Sequence, residues 1–93
     1  MDYTVRVELH DATWNDYETL HAAMQQVGFS RTIVGDNGKT YQLPTAEYNA
    51  SSNGDAAHVR QVASGAAAKT GKTHAVLVTT AGARAWIGLQ VAS

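Results

Sequence analysis

The chain has 93 residues and a formal net charge of −1, a length that supports one domain from 1 to 93 around one core. It has no cysteine, which excludes disulfide scaffolds, zinc ribbons and thiol nucleophiles. No apolar run approaches the ~20 residues that cross a bilayer, and Met1-Asp2-Tyr3 lacks the basic-then-apolar start of a signal peptide, so a cytoplasmic protein without membrane contact is expected.

From Tyr3 the chain alternates, with Tyr3, Val5, Val7 and Leu9 on one side and Thr4, Arg6, Glu8 and His10 on the other, the period of a strand with one buried face. Thr13, followed three residues later by Asp16, predicts a helix start, and Trp14, Tyr17, Leu20, Met24 and Val27 recur at helical spacing up to a glycine stop at Gly28. Phe29–Val34 reads as a strand, Asn37-Gly38 as a tight hairpin turn, and Lys39–Leu43 as the returning strand. Pro44 either ends that strand or sends it on along an edge through 46–50. Turn residues 51–55 open a second helix, Ala56 to about Thr70, which packs Val59, Val62, Ala63 and Ala66 and stops at Gly71. Thr73–Thr80 reads as a strand buried on both sides or nearly so, and Ala85–Val91 as a final strand. The order is α+β, a ferredoxin-like βαββαβ with an added C-terminal β-strand.

Charge is unevenly distributed. Residues 1–58 hold all eight acids against Arg6, Arg31 and Lys39, a net of −5, whereas 59–93 hold Arg60, Lys69, Lys72 and Arg84 without an acid, a net of +4. Such a split suits either a basic face for a polyanion or a solvated helix face. Gly71-Lys72-Thr73 is not a phosphate loop, because it closes a helix where a P-loop would open one, and Gly35–Gly38 lacks the Walker spacing. The four histidines show no metal-ligand spacing.

Three positions carry the candidate chemistry. His10 and Asp11 fall where the first strand leaves the sheet, His10 as a general acid-base and Asp11 as an orienting carboxylate or Mg²⁺ ligand, although a turn aspartate ahead of Thr13 has a local reason to be there. Arg31, between Ser30 and Thr32, suits a phosphate contact and equally a charge that solubilises an edge. Tyr41, Tyr48 and Trp86 are stacking candidates for bases or core aromatics, with no RNP-type motif beside them.

The run Gly28-Phe29-Ser30-Arg31-Thr32-Ile33-Val34 through the hairpin at Gly38 to Gln42-Leu43 and Tyr48 resembles the central segment of the GhoS family, the endoribonuclease antitoxins of type V toxin-antitoxin systems. The resemblance implies a ferredoxin-like fold similar to the CRISPR-associated Cas2 proteins, and cleavage of the single-stranded mRNA of a small membrane-acting toxin. Asp11 matches the aspartate that such proteins carry at the end of the first strand. On this reading His10, Asp11 and Arg31 are the catalytic candidates, Arg6, Arg60, Lys69 and Lys72 the RNA-backbone contacts, and no cofactor is expected unless Mg²⁺ serves. Arg60 and Lys69 are nine residues apart, about 900° around a helix, which sets them on opposite sides.

The alternative is a noncatalytic regulator or mobile-element inhibitor that binds protein through its open sheet face or edge strand. Trp86, Ile87 and Leu89, uncharged after Arg84, also make Ala85–Val91 a candidate edge for a homodimer.

Overall fold

A computed structural model describes residues 1–92. Strand β1, Asp2–Leu9, buries Tyr3, Val5, Val7 and Leu9 as its alternation predicts. Helix α1, Trp14–Gln26, starts in a capping box: the Asp16 amide donates to Thr13 Oγ1 at 3.4 Å and the Thr13 amide to Asp16 Oδ2 at 2.8 Å. Past its end Gly28 takes φ +90°, and the Phe29 amide donates back to the Met24 carbonyl. The buried face of α1 is Leu20, His21, Ala23 and Met24 with Tyr17 packed beside it, so the middle of the expected stripe is buried while its ends, Trp14 and Val27, are exposed. Trp14, on the first turn, is 66% exposed.

Strands β2, Thr32–Val34, and β3, Thr40–Gln42, form the expected hairpin. Its loop is wider than a two-residue turn: the Gly35 amide reaches the Lys39 carbonyl, and only Gly38, at φ +80°, is left-handed. Asn37 is spent differently, accepting the Lys39 amide at Oδ1 and donating from Nδ2 to the Tyr41 hydroxyl. Pro44 ends this hairpin. After Ala46, at φ +67°, the chain resumes as β4, Glu47–Ser51, which pairs along β1.

Asp55 caps α2, Ala56–Ala67, by accepting the His58 amide at 2.8 Å, and a 3₁₀ turn, Ala68–Thr70, carries it to Gly71. Strand β5, His74–Thr80, then returns antiparallel on the other side of β1. The main sheet is ordered β4-β1-β5, and a bridge from Ser30 to Asn49 attaches the β2–β3 hairpin outside β4. With β3 and β4 together taking the place of a single third strand, this is the ferredoxin-like arrangement.

One cluster joins Val5, Val7 and Tyr48 with Leu20 and Met24 of α1 and with Val59, Ala63 and Ala66 of α2, so both helices cover the same sheet face. The other face is open at β5. Val76 and Val78 pack on the core, but Leu77 is 63% exposed, so the apolar run is buried on one side only.

The C-terminal residues depart furthest from expectation. Ala85–Val91 is not a continuous strand, because Gly88 is left-handed at φ +82° and the ladder shrinks to one bridge, Val91 to Tyr41. Flanking bonds run from the Gln42 amide to the Gln90 carbonyl and from the Ala92 amide to the Thr40 carbonyl. To pass from β5 to β3 the segment crosses the open face. Arg84 pins it there, with Nη1 donating to Asn49 Oδ1 at 2.7 Å and to Thr4 Oγ1 at 3.3 Å.

Thr13→Ala removes the side-chain acceptor of the capping box and is expected to lower unfolding stability by ~1 kcal/mol, read as a lower urea midpoint at unchanged slope.

Candidate functional site

Two polar centres flank the sheet. At the end of β1, the His10 amide donates to the Thr73 carbonyl, which brings His10 beside the start of β5. Its ring is held on both sides, Nδ1 by Thr73 Oγ1 and Nε2 by Glu8 Oε1, each at 3.2 Å, yet it stays accessible. A carboxylate on one nitrogen fixes the ring's direction, a positioning that proton transfer requires. Asp11 follows at φ +52°, a left-handed conformation that aspartate tolerates, with its carboxylate in solvent. Lys72, one residue before Thr73, reaches Asp16 Oδ2 at 3.8 Å and closes the group. The Asp16 carboxyl is held below its ordinary value, first by the Thr13 amide and with a smaller contribution from the Lys72 charge.

The centre at the base of β2 is mostly buried. His21, 8% exposed on α1, meets the fully buried Tyr48 of β4, with Nδ1 2.6 Å from the phenol oxygen. Burial pushes the imidazole below its ordinary value and the phenol up to about 12, and the Arg31 charge lowers both. The ring is therefore neutral and the phenol protonated, which assigns the hydroxyl as donor and Nδ1 as acceptor. His21 Nε2 and Arg31 Nε are both buried without a partner among the described residues. Above them, Ser30 Oγ and Thr32 Oγ1 lie 2.9 Å apart, and a hollow of about 360 Å³ is lined by Gln25, Phe29, Ser30, Arg31 and Thr32.

The candidate residues therefore divide. His10 and Asp11 stand at the end of β1 beside Thr73, with Lys72 next to Thr73 in sequence and its amine on Asp16, whereas Arg31 does not join them. Ser30 bridges Asn49, Asn49 pairs with Thr4, and His10 lies six residues further along β1, so the two centres are separated by about 20 Å along the ladder at ~3.3 Å per residue. Arg6 is exposed on the open face between them. Arg60 and Lys69 are exposed on α2 and its 3₁₀ extension, and Arg60 lines a shallow hollow with Ser64 and His74.

Mg²⁺ finds no ready cage. Among the described residues no three His, Asp or Glu side chains gather to hold a metal ion, and at the β1 end Glu8 is turned to His10 and Asp16 to Thr13 and Lys72.

Sequence reasoning passed over His21 and Arg84. For His21 a signal was present: Tyr17, Leu20, His21 and Met24 follow i, i+3, i+4, i+7 more strictly than any stripe through Trp14. For Arg84 there was none, because its partners Thr4 and Asn49 lie 80 and 35 residues away.

The fold and these centres define a ferredoxin-like domain with an open sheet face and polar groups at both ends of β1. Residues 1–86 match the family model described as Endoribonuclease GhoS, and the chain belongs to that family, as the resemblance carried by Gly28–Tyr48 indicated. No individual curated protein matches it. Among the described residues no helix is long and apolar enough to cross a membrane.

Because the folded state lowers the His21 pKa, its contribution to stability is full above the ordinary value of 6.5 and is lost as pH falls through the lowered value. Urea midpoints measured from pH 7 downward should fall below pH 6.5 in the wild type and less steeply in His21→Gln. Tyr48→Phe strands the Nδ1 acceptor and is expected to cost ~1–3 kcal/mol.

Proposed function

We propose that this protein is an endoribonuclease that cuts single-stranded RNA, specifically the message of a small membrane-acting toxin, and so serves as an antitoxin in the cytoplasm. The observation that carries the reading is the family match across 86 of the 93 residues, which spans every candidate site residue. The chemistry suits the end of β1. RNA cleavage through the 2′-hydroxyl needs a base for that proton, an acid for the leaving 5′-oxygen and a cation for the charge that builds on phosphorus. His10, directed by Glu8 and Thr73, is the acid-base group, and Lys72 is the cation within the same group of residues. Asp11 is the orienting carboxylate. Arg31 and Arg6 hold the strand away from the scissile bond, and Arg60 and Lys69 are outlying backbone contacts.

The test is incubation of micromolar protein with a labelled toxin message and a scrambled control, with and without EDTA. Selective cleavage that survives EDTA is expected, falling ~10²–10⁴-fold in His10→Ala and falling in Lys72→Gln with the fold intact. No cleavage of any RNA under either condition overturns the enzyme reading, and cleavage abolished by EDTA overturns the metal-free assignment.

One observation favours the noncatalytic alternative. Among the described residues the outer edge of β5 is unpaired over seven residues without a formal charge, open to a strand from another protein or from a second copy. The homodimer proposal therefore moves from Ala85–Val91 to β5. If protection from the toxin survives combined substitution of His10, Asp11 and Arg31 but is lost in Leu77→Lys, binding and not cleavage is the mechanism.

A further inference from the structure

Where the C-terminal segment leaves the sheet it walls a groove of about 610 Å³ against the β2–β3 hairpin, lined among others by Ile33, Val34, Asp36, Arg84 and Trp86. That volume lies within the ~300–1,000 Å³ of small-ligand sites. Two kinds of chemistry meet in its lining, and each is fixed in place.

The Trp86 ring stands edge-on to Tyr41, with centroids 5.6 Å apart and planes at 61°. Tyr41 is anchored in turn by Asn37 Nδ2 on its hydroxyl at 3.0 Å. Gly35 lets the rings come this close, since a Cβ there would lie 3.0 Å from the Tyr41 ring and 3.3 Å from the Trp86 ring. Arg84, two residues earlier and in the same lining, is tied through Nη1 alone. Its Nε and Nη2 have no partner, and no acid pairs with it, among the described residues. A braced indole beside a guanidinium with a free donor edge matches a nucleotide, with a flat base for the ring and a phosphate for the fork.

We propose that this groove is a nucleotide subsite for single-stranded RNA, in which a base stacks on Trp86 and the adjoining phosphate is bound by Arg84. The proposal rests on the endoribonuclease reading and deepens it by giving the substrate a path. Thr4, Arg6, Glu8 and His10 alternate along one side of β1, and Arg84 is fastened to Thr4 at the start of that row. A strand seated in the groove and led along β1 passes Arg6 and reaches His10 about 20 Å away. The groove thus binds nucleotides displaced from the scissile bond, which separates affinity from chemistry.

The experiment uses a Trp14→Phe background, in which Trp86 is the sole tryptophan, and a 2′-O-methyl RNA oligonucleotide, which lacks the attacking hydroxyl and stays intact. Titration should quench Trp86 emission. In parallel titrations followed by anisotropy of a labelled oligonucleotide, Trp86→Ala should weaken binding by about 5- to 100-fold, the range of one base stack, Trp86→Phe should weaken it less, and Arg84→Gln should weaken it with a shallower salt dependence. Circular dichroism checks that each variant is folded, and Arg84→Gln answers the question alone if Trp86→Ala does not fold. Wild-type affinity in both groove variants, or binding without a change in Trp86 emission, overturns the groove while leaving cleavage of unmodified RNA to stand. A wild type that neither binds the oligonucleotide nor cleaves RNA overturns both readings.

Discussion

Everything in this fold is arranged around the two-residue period of β1. The strand is central, with β4 on one side and β5 on the other, so its inward residues must fill the core and its outward residues must line the open face. Tyr3, Val5, Val7 and Leu9 meet both helices, and Thr4, Arg6, Glu8 and His10 form a polar row on the reverse. A slip of one residue would exchange the sets and leave four charged or polar side chains facing Leu20 and Met24. The register that stabilises the domain is thus the same one that presents Arg6 and His10 together on one surface.

A second constraint lies beneath Arg31. His21 and Tyr48 are polar groups in an otherwise apolar interior, and their mutual hydrogen bond removes one unmet partner from each. Their pairing fixes the approach of α1 to β4, because the bond tolerates little displacement at 2.6 Å. The guanidinium of Arg31 lies close enough to influence both groups, which disfavours a second positive charge on the imidazole. The Glu18 carboxylate acts on His21 in the opposite direction, but burial and Arg31 prevail, which leaves Arg31 as the positive charge of this corner.

How much of this could be read from the sequence depends on the range of the cause. β1, the Thr13 capping box, the Gly28 and Gly71 stops and the hairpin were legible, since each is set by residues within a few positions. The meeting of His10 with Thr73, beside Lys72 in sequence, was not, because it depends on β5 starting level with the end of β1. β5 read as buried on both faces because Ala75-Val76-Leu77-Val78 is apolar throughout, yet among the described residues nothing covers Leu77 on the open side. Asn37-Gly38 suggested a two-residue turn from composition, but the Asn37 side chain is taken up by Lys39 and Tyr41.

The C-terminal segment shows why a strand-like composition did not become a strand. Trp86, Ile87, Leu89 and Val91 have suitable β propensity, and the outer edge of β5 is adjacent and free. Pairing there would leave Arg84 at a turn and Trp86 on an edge without an aromatic neighbour. Crossing the face gives Arg84 two oxygen partners, gives Trp86 the edge of Tyr41, and leaves Gly88 to absorb the change of direction before Val91 joins β3. These tertiary contacts outweigh the local propensity, which spans only ~1 kcal/mol across residue types. The crossing also changes the meaning of the charge asymmetry along the chain. Arg84 belongs to the basic C-terminal third but is delivered onto β1 and β4 of the acidic part, where Arg6 of β1 already lies. Arg6 and Arg84, 78 residues apart in sequence, thereby share one open face, even though Arg31 lies beside His21 and Tyr48, Arg60 and Lys69 are on α2 and its extension, and the whole molecule carries a net charge of only −1. A polyanion responds to that local distribution rather than to the sum.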